Sequence, residues 1–323
     1  MDKKKLNWIY KKLFTIRFFE ERIKKIAKEK TVPGYLHTCI GSEAICVGVM
    51  AALNNDDWIS STYRNHGHAI AKDCDLKKIT SEIYGRKTGI CKGRGGSMHI
   101  SDFDRGMLGS FGIVAAGPPV VLGAALQEKI NNGKKMSVSF FGDGAIHNGA
   151  FHEAAGLAQL WNIPMLFVCE NNGYAEATAT DWHLNTKELS DISKAYDMKS
   201  YQGNGNDVFE VYKITKEAII ESKDNEIPIF LEFKNYRFSG QYEGDTQLYQ
   251  PKEEIEEAKN NDPIKLAIEN SNNHGLNTEE LEEIKNIALN EVNEAFEYAE
   301  TQPWPDPEDA LKEVYVSYPK ENI

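Results

Sequence analysis

The chain contains no apolar run approaching the roughly 20 residues that a membrane-crossing helix needs, and none is expected. It has no basic excess either. Its 37 Lys and Arg stand against 49 Asp and Glu, a net charge of −12. That balance disfavours nucleic acid and anionic membrane as general partners. Cysteine is sparse, odd in number and without a CxxC pair: Cys39, Cys46, Cys74, Cys91 and Cys169. A disulfide framework is therefore not expected, and most of these thiols read as small buried hydrophobes of a reduced compartment. The first residues, Met1-Asp-Lys-Lys-Lys-Leu-Asn-Trp8, begin basic but lack an apolar signal core, so a cytoplasmic protein is expected. Repeats and low-complexity segments are missing too. What remains is 323 residues, 41% hydrophobic, enough to bury the core of one large or two ordinary domains.

The most informative stretch is 136–174. Met136-Ser-Val-Ser-Phe-Phe141 is short, apolar and β-rich, suiting a strand covered on both faces. It stops at Gly142-Asp143-Gly144. Phe151, Ala154, Ala155, Ala158 and Trp161 then recur at helical spacing. Pro164 opens a second buried run, Met165-Leu-Phe-Val-Cys169, which closes at Glu170-Asn171-Asn172-Gly173. A right-handed strand–helix–strand unit makes the two strands parallel. Both polar clusters then lie at carboxyl ends of strands, the edge where open α/β sheets bind ligands. Asp143 offers a carboxylate and Asn172 an amide oxygen. Without a Cys or His pair beside them, these oxygens favour a hard cation such as Mg²⁺ or Ca²⁺ over zinc, with phosphate oxygens completing the shell.

Around this unit, residues 4–29 form an amphipathic helix by pattern. The stretch 31–48 opens with a Pro-Gly turn, carries His37 in a loop, and becomes helical. Residues 57–62 are a strand that ends at Tyr63-Arg64-Asn65-His66-Gly67-His68. Arg64 offers a fork of donors suited to phosphate. His66 and His68 could hold a metal, but no third ligand stands near them in sequence. The glycine-dense 85–117 reads, taken bare, as a long mobile loop. Nucleotide motifs fail on spacing: His147 stands where a third glycine would follow Gly142-x-Gly144, and Glu128 and Lys135 rule out a Walker loop at Gly133-Lys134. Helices are expected over 116–132 and 208–223, with a further strand over 228–233. The chain is helical and acidic from Pro251, with Asn277 capping a long helix. A last short element is expected over 310–315.

Gly142-Asp143-Gly144, followed after a helix by Asn171-Asn172, resembles the thiamine diphosphate fingerprint. Over roughly residues 5–318, the order of motifs resembles the alpha subunit of the heterotetrameric 2-oxo acid and acetoin dehydrogenases. The further matches are Leu36-His-Thr-Cys-Ile-Gly-Ser-Glu-Ala44, Lys92-Gly-Arg-Gly-Gly-Ser-Met-His99 and Gly112-Ile-Val114. The resemblance implies an α/β fold: a mostly parallel sheet with helices on both faces and helical N- and C-terminal arms. Residues 1–250 would form the cofactor domain, and 251–323 a helical extension of it. It implies thiamine diphosphate and Mg²⁺, with the metal held by Asp143, Asn172 and the main-chain carbonyl of Tyr174. Tyr63, Arg64, Gly142, Gly144 and Ala145 would bind the diphosphate end, and Gly112 and Val114 the aminopyrimidine. His37 would face the substrate carbonyl and His66 would line the site. A small carbonyl substrate, a beta subunit completing an α2β2 enzyme, and a lipoyl-bearing acyltransferase are the implied partners. Two departures stand out. Gln241 occupies the place of a family histidine, and no Arg occurs between 175 and 199, leaving His183 to take its place. Gln241 keeps open a non-oxidative carboligase or transferase, and a non-catalytic subunit is the third alternative. Glu243-Gly244-Asp245 resembles the acetoin branch more than the pyruvate branch.

Overall fold

The computed structural model describes residues 1–186 and 188–311. The element expected over 310–315 lies mostly outside those residues. In chain order the elements are α1 (Lys3–Glu29), α2 (Glu43–Ala52), β1 (Trp58–Thr62), α3 (His66–Ala71), α4 (Leu76–Ile83), β2 (Met107–Phe111), α5 (Gly117–Ile130) and β3 (Ser137–Gly142). There follow α6 (Gly149–Leu160), β4 (Leu166–Asn171), the small strands β5 (Tyr174–Ala175) and β6 (Thr178–Ala179), α7 (Thr180–His183) and β7 (Lys199–Asn204). The last are α8 (Val208–Asn225), β8 (Ile229–Lys234), α9 (Lys252–Asn260), α10 (Pro263–Glu269) and α11 (Thr278–Thr301).

Six strands form a parallel sheet in the order β2-β1-β3-β4-β8-β7. Alternation sorts the inner strands' side chains onto two faces. Val138, Phe140, Leu166, Val168 and Leu231 join one core cluster, packed with α1, α2, α8 and α11. Phe141, Phe167, Cys169 and Phe230 join the other, packed with α5 and α6. Both faces are covered, so the inner strands read as unbroken apolar runs. Helix α1 starts where Asp2 accepts a hydrogen bond from the Lys5 amide, and it buries Leu6, Ile9, Leu13, Ile16 and Ile23 at i, i+3, i+4 spacing. Asn277 and Glu280 form a capping box at the start of α11.

The order of the strands decides where a ligand can bind. The chain leaves β1 first for β2 on one side, then returns to β3 on the other. Neighbouring connections diverge there, and a crevice opens at the carboxyl ends of β1 and β3. Register pairs Gly142 with Glu170, so the loops after β3 and β4 leave the sheet side by side. Helix α5 starts against the same point. A Cβ on Gly117 would lie 2.6 Å from Ser60 Oγ and 3.2 Å from Ser139 Oγ, so only glycine allows this approach.

The expectation of a long mobile loop over 85–117 is overturned. Part of it is strand β2. Residues 91–96 fold around the buried Glu82 carboxylate. Oε2 accepts the amides of Cys91 and Gly93, both at 2.8 Å, and Oε1 accepts those of Gly95 at 2.7 Å and Gly96 at 3.0 Å. Glycines let successive amides converge on one anion, and here the anion belongs to the chain itself. The stretch after Tyr174 holds the β5–β6 hairpin, the single turn α7 and a 3₁₀ segment over Leu189–Tyr196.

Candidate active site

A cleft of about 500 Å³ opens over the crevice. Its walls come from the loop around His37, the end of β1 (Tyr63, Arg64), the turn 111–118, the end of β3 (Gly142 to Ala145), the end of β4 (Glu170, Asn172, Tyr174) and the segment carrying Arg237 and Gln241. Nearly all the site residues expected from sequence meet here. His66 does not. It is fully buried behind the wall, with Nδ1 3.1 Å from both carboxylate oxygens of Glu20 and Nε2 2.8 Å from Ser97 Oγ. Burial pushes the Glu20 carboxyl up, but the His66 charge and its hydrogen bonds hold it below the usual range. The pair ties α1 to the loop holding Ser97, and Glu20 Oε1 also accepts the Cys39 amide at 3.0 Å. His66 thus supports the wall rather than lining it.

Asp143 follows β3 at the start of a 3₁₀ turn that also buries Ala145. Its carboxyl is almost fully enclosed, and burial pushes its pKa up against the hydrogen bond from Thr180 Oγ1 at 2.8 Å. His183 Nε2 is buried, has no hydrogen-bond partner, and lies 3.8 Å from the same carboxylate. His183 Nδ1 pairs with His147 Nε2 at 2.9 Å. His183, which the resemblance left to take the place of the missing Arg, therefore stands beside the Asp143 carboxylate. Asn172 Oδ1 caps the turn by accepting the Tyr174 amide at 3.1 Å. In the turn after β2, Ala115 adopts φ 62°, a left-handed conformation that costs an L-residue energy and is common at ligand sites. That turn leaves Ile113 and Val114 exposed at the mouth.

Two buried guanidiniums face the cleft. Arg64 donates to Thr38 O at 2.5 Å and to Gln241 O at 2.9 Å. Arg237 donates to Gln241 Oε1 at 2.7 Å, Glu176 O at 2.7 Å and Tyr249 Oη at 2.8 Å. These acceptors are neutral, so the positive charge is free to meet an anion. Gln241 links the two walls. Its Nε2 donates to Tyr63 Oη at 2.8 Å, and its amide N–H donates to Asp245 Oδ2 at 2.7 Å. Its carbonyl lies 2.7 Å from His37 Nδ1. A carbonyl only accepts, so Nδ1 carries the proton and Nε2 keeps a lone pair. Burial first, then the Arg64 charge, pushes His37 down to about 4. Near neutrality His37 therefore faces the cleft as a neutral ring that accepts a proton at Nε2.

Sequence reasoning missed Arg237 and Glu170. An Arg a few residues beyond a buried strand was a usable signal, since Tyr236-Arg237 follows β8 much as Tyr63-Arg64 follows β1. Nothing local marked Glu170, whose carboxylate meets Cys46 of α2 and His68 of α3. Burial pushes its carboxyl up to about 7.

This is a thiamine-type crevice in an α/β sheet, and the chain belongs to the dehydrogenase E1 component family, whose model matches residues 11–308. It is 40% identical to the alpha subunit of acetoin:2,6-dichlorophenolindophenol oxidoreductase from Bacillus subtilis, over 99% of this chain and 96% of that one. It is likewise 40% identical to the Cupriavidus necator subunit of that name, over 98% and 96%. Identity to pyruvate dehydrogenase E1 component subunit alpha of Rickettsia bellii is 34%, over 95% and 94%. The family implies thiamine diphosphate as cofactor. The residues present fit it: an enclosed carboxyl with oxygen donors beside it, two guanidiniums bonded only to neutral acceptors, and the start of α5 against the crevice.

Proposed function

We propose that this chain is the alpha subunit of a thiamine diphosphate- and Mg²⁺-dependent enzyme that cleaves the C–C bond beside the carbonyl of a 2-hydroxyketone such as acetoin. It works as half of an α2β2 assembly with a beta subunit, and it passes the remaining aldehyde-level unit to a lipoyl-bearing acyltransferase, whose lipoyl disulfide would be reduced as that unit is oxidised to the acyl level. The observation that carries the substrate choice is His37, whose Nε2 lone pair is fixed by the 2.7 Å bond from Nδ1–H to Gln241 O. A hydroxyketone must give up its hydroxyl proton as the C–C bond breaks, and an unprotonated imidazole accepts it. A 2-oxo acid has no such proton to give. The two similar subunits at 40% identity carry acetoin in their names.

In this reading Asp143, Asn172 Oδ1 and the Tyr174 carbonyl hold the metal. Arg64, with Tyr63 beside it, attracts the diphosphate, while Gly112 and Val114 meet the aminopyrimidine. Bound thiamine diphosphate supplies a nucleophilic carbon and an electron sink. Arg237 and Gln241 orient the His37 wall, and Gln241 itself moves no proton near neutrality. That last point is what favours a second reading, a carboligase or transferase that releases its product without a lipoyl acceptor.

The test is to co-produce the chain with its beta partner and measure acetoin-dependent dye reduction against pyruvate, with thiamine diphosphate and Mg²⁺ present. Acetoin turnover well above pyruvate turnover is expected. Asp143→Ala should abolish Mg²⁺-dependent cofactor retention, measured by quenching of intrinsic fluorescence. Faster turnover of pyruvate would sink the substrate choice, and unchanged retention in Asp143→Ala would sink the metal assignment.

A further inference from the structure

Behind the floor of the cleft, side chains from three elements converge. Cys46 belongs to α2, His68 to α3, and Glu170 to the end of β4. Their sulfur, ring nitrogen and carboxylate oxygen all lie within 4.8 Å of one another. His68 Nε2 stands 3.7 Å from Glu170 Oε1. Both atoms are buried, and neither has a hydrogen-bond partner. A gap of 3.7 Å is too long for a hydrogen bond. It is close to the edge of a tetrahedron whose ligand bonds are about 2.0–2.3 Å.

We propose that Cys46, His68 and Glu170 form a second metal site, for a zinc-class divalent cation, with its fourth coordination position toward the cleft that Glu170 lines.

The surroundings suit that role. His68 Nδ1 lies 2.8 Å from Ser61 Oγ, a partner that fixes the ring and leaves Nε2 for a metal, as outer-shell groups do in known sites. The ring also rests on Phe140 with centroids 4.0 Å apart. Burial keeps the imidazole neutral, as a ligand must be, by pushing it down to about 3. Cys46 sits in the first turns of α2, where the helix dipole favours a thiolate. Burial raises this thiol, a hydrogen bond from the Cys39 thiol opposes the rise, and the charges of Glu170, Glu43 and Glu20 add to it, so without a cation the thiol stays protonated. Gly67 lets the first turn of α3 lie on both sulfurs, since a Cβ there would come within 2.7 Å of Cys46 Sγ and 2.8 Å of Cys39 Sγ. One thiolate and one carboxylate around a divalent ion make a neutral unit, which is less costly to bury than either charge alone. The mixed S, N, O donors also separate this site from the all-oxygen corner at Asp143, because softer ligands select softer metals.

The test uses the chain assembled with its beta partner, stripped by chelator and returned to excess Mg²⁺ so that the hard site stays filled. Added Co²⁺ should bind at about one equivalent per chain and give a thiolate-to-cobalt charge-transfer band. Cys46→Ser should remove the band, and His68→Gln should weaken Co²⁺ binding at least about tenfold. Asp143→Asn should leave the band in place. Absence of the band in the unaltered protein, or its persistence in Cys46→Ser, overturns the proposal. If Cys46→Ser does not fold, unchanged cobalt affinity in His68→Gln overturns it equally.

Discussion

Glu82→Gln is the sharpest test of how the glycine-rich segment is held. The substitution keeps the shape of the side chain and replaces one carboxylate oxygen with an NH₂ group. Each oxygen now accepts two main-chain amides, at 2.7 to 3.0 Å. After the change, one pair of amides faces a donor. Each buried donor left unpaired costs about 1–3 kcal/mol, so two cost roughly 2–6 kcal/mol. Relaxation offers little relief, because the turn at Gly89 is pressed against Glu82: a Cβ there would lie 2.2 Å from Oε2 and 2.8 Å from Cα. Against a total stability of about 5–15 kcal/mol, the loss appears in one of two ways. A urea melt shows a lower midpoint if the loop unfolds with the domain. Amide exchange at residues 91, 93, 95 and 96 speeds up, roughly 30-fold for 2 kcal/mol, if the loop opens alone. Met98 lines the cleft just beyond, so cofactor retention should weaken in parallel. An unchanged midpoint together with exchange rates within about threefold of the original would refute the role assigned to Glu82.

The remaining predictions concern the cleft. Gln241→His places a second titratable ring between Arg237 and Tyr63. It should raise acyl transfer to a lipoyl acceptor, assayed with free lipoamide, if the dehydrogenase reading holds; low transfer that does not change favours the carboligase. His37 has a folded pKa of about 4, below its ordinary 6.5. The unfolded chain therefore takes up the proton first. The stability tied to this ring is fully present above about pH 6.5 and is lost as pH falls toward 4. Urea melts between pH 4.5 and 7 should show a shallower pH dependence in His37→Asn than in the unaltered protein, and identical slopes would count against the buried neutral ring.

What was legible in the sequence follows from range. The β3–α6–β4 unit is contiguous, and its two-sided burial leaves unbroken apolar runs, so the Asp143–Asn172 corner could be placed before any coordinates. β7 was missed because its exposed, polar strand, Lys199–Asn204, carries neither alternation nor an apolar run. The role of His66 was misplaced because its partner Glu20 lies 46 residues away on another helix. The glycines of 85–117 looked mobile because the group that orders them, Glu82, sits in the preceding helix rather than among them. Gln241 stood out in the sequence, but its grip on the His37 tautomer runs through a main-chain carbonyl, which any residue at that position would present.

The polar strand β7 also bears on how this chain avoids aggregation while it folds. Parallel pairing between distant segments forms slowly, and an open strand edge recruits other chains in the meantime. This edge is a poor template. Its first residue is a lysine tied to Glu221, Tyr201 is held by the same carboxylate, Gln202 Nε2 bonds to Ser190 Oγ, and Gly203 sits in its interior. Strand addition there is discouraged by charge and by side chains already engaged. The edge is thus guarded against sideways growth into aggregates, while the apolar residues left exposed, such as Tyr35 and Ile113, gather at the cleft mouth instead.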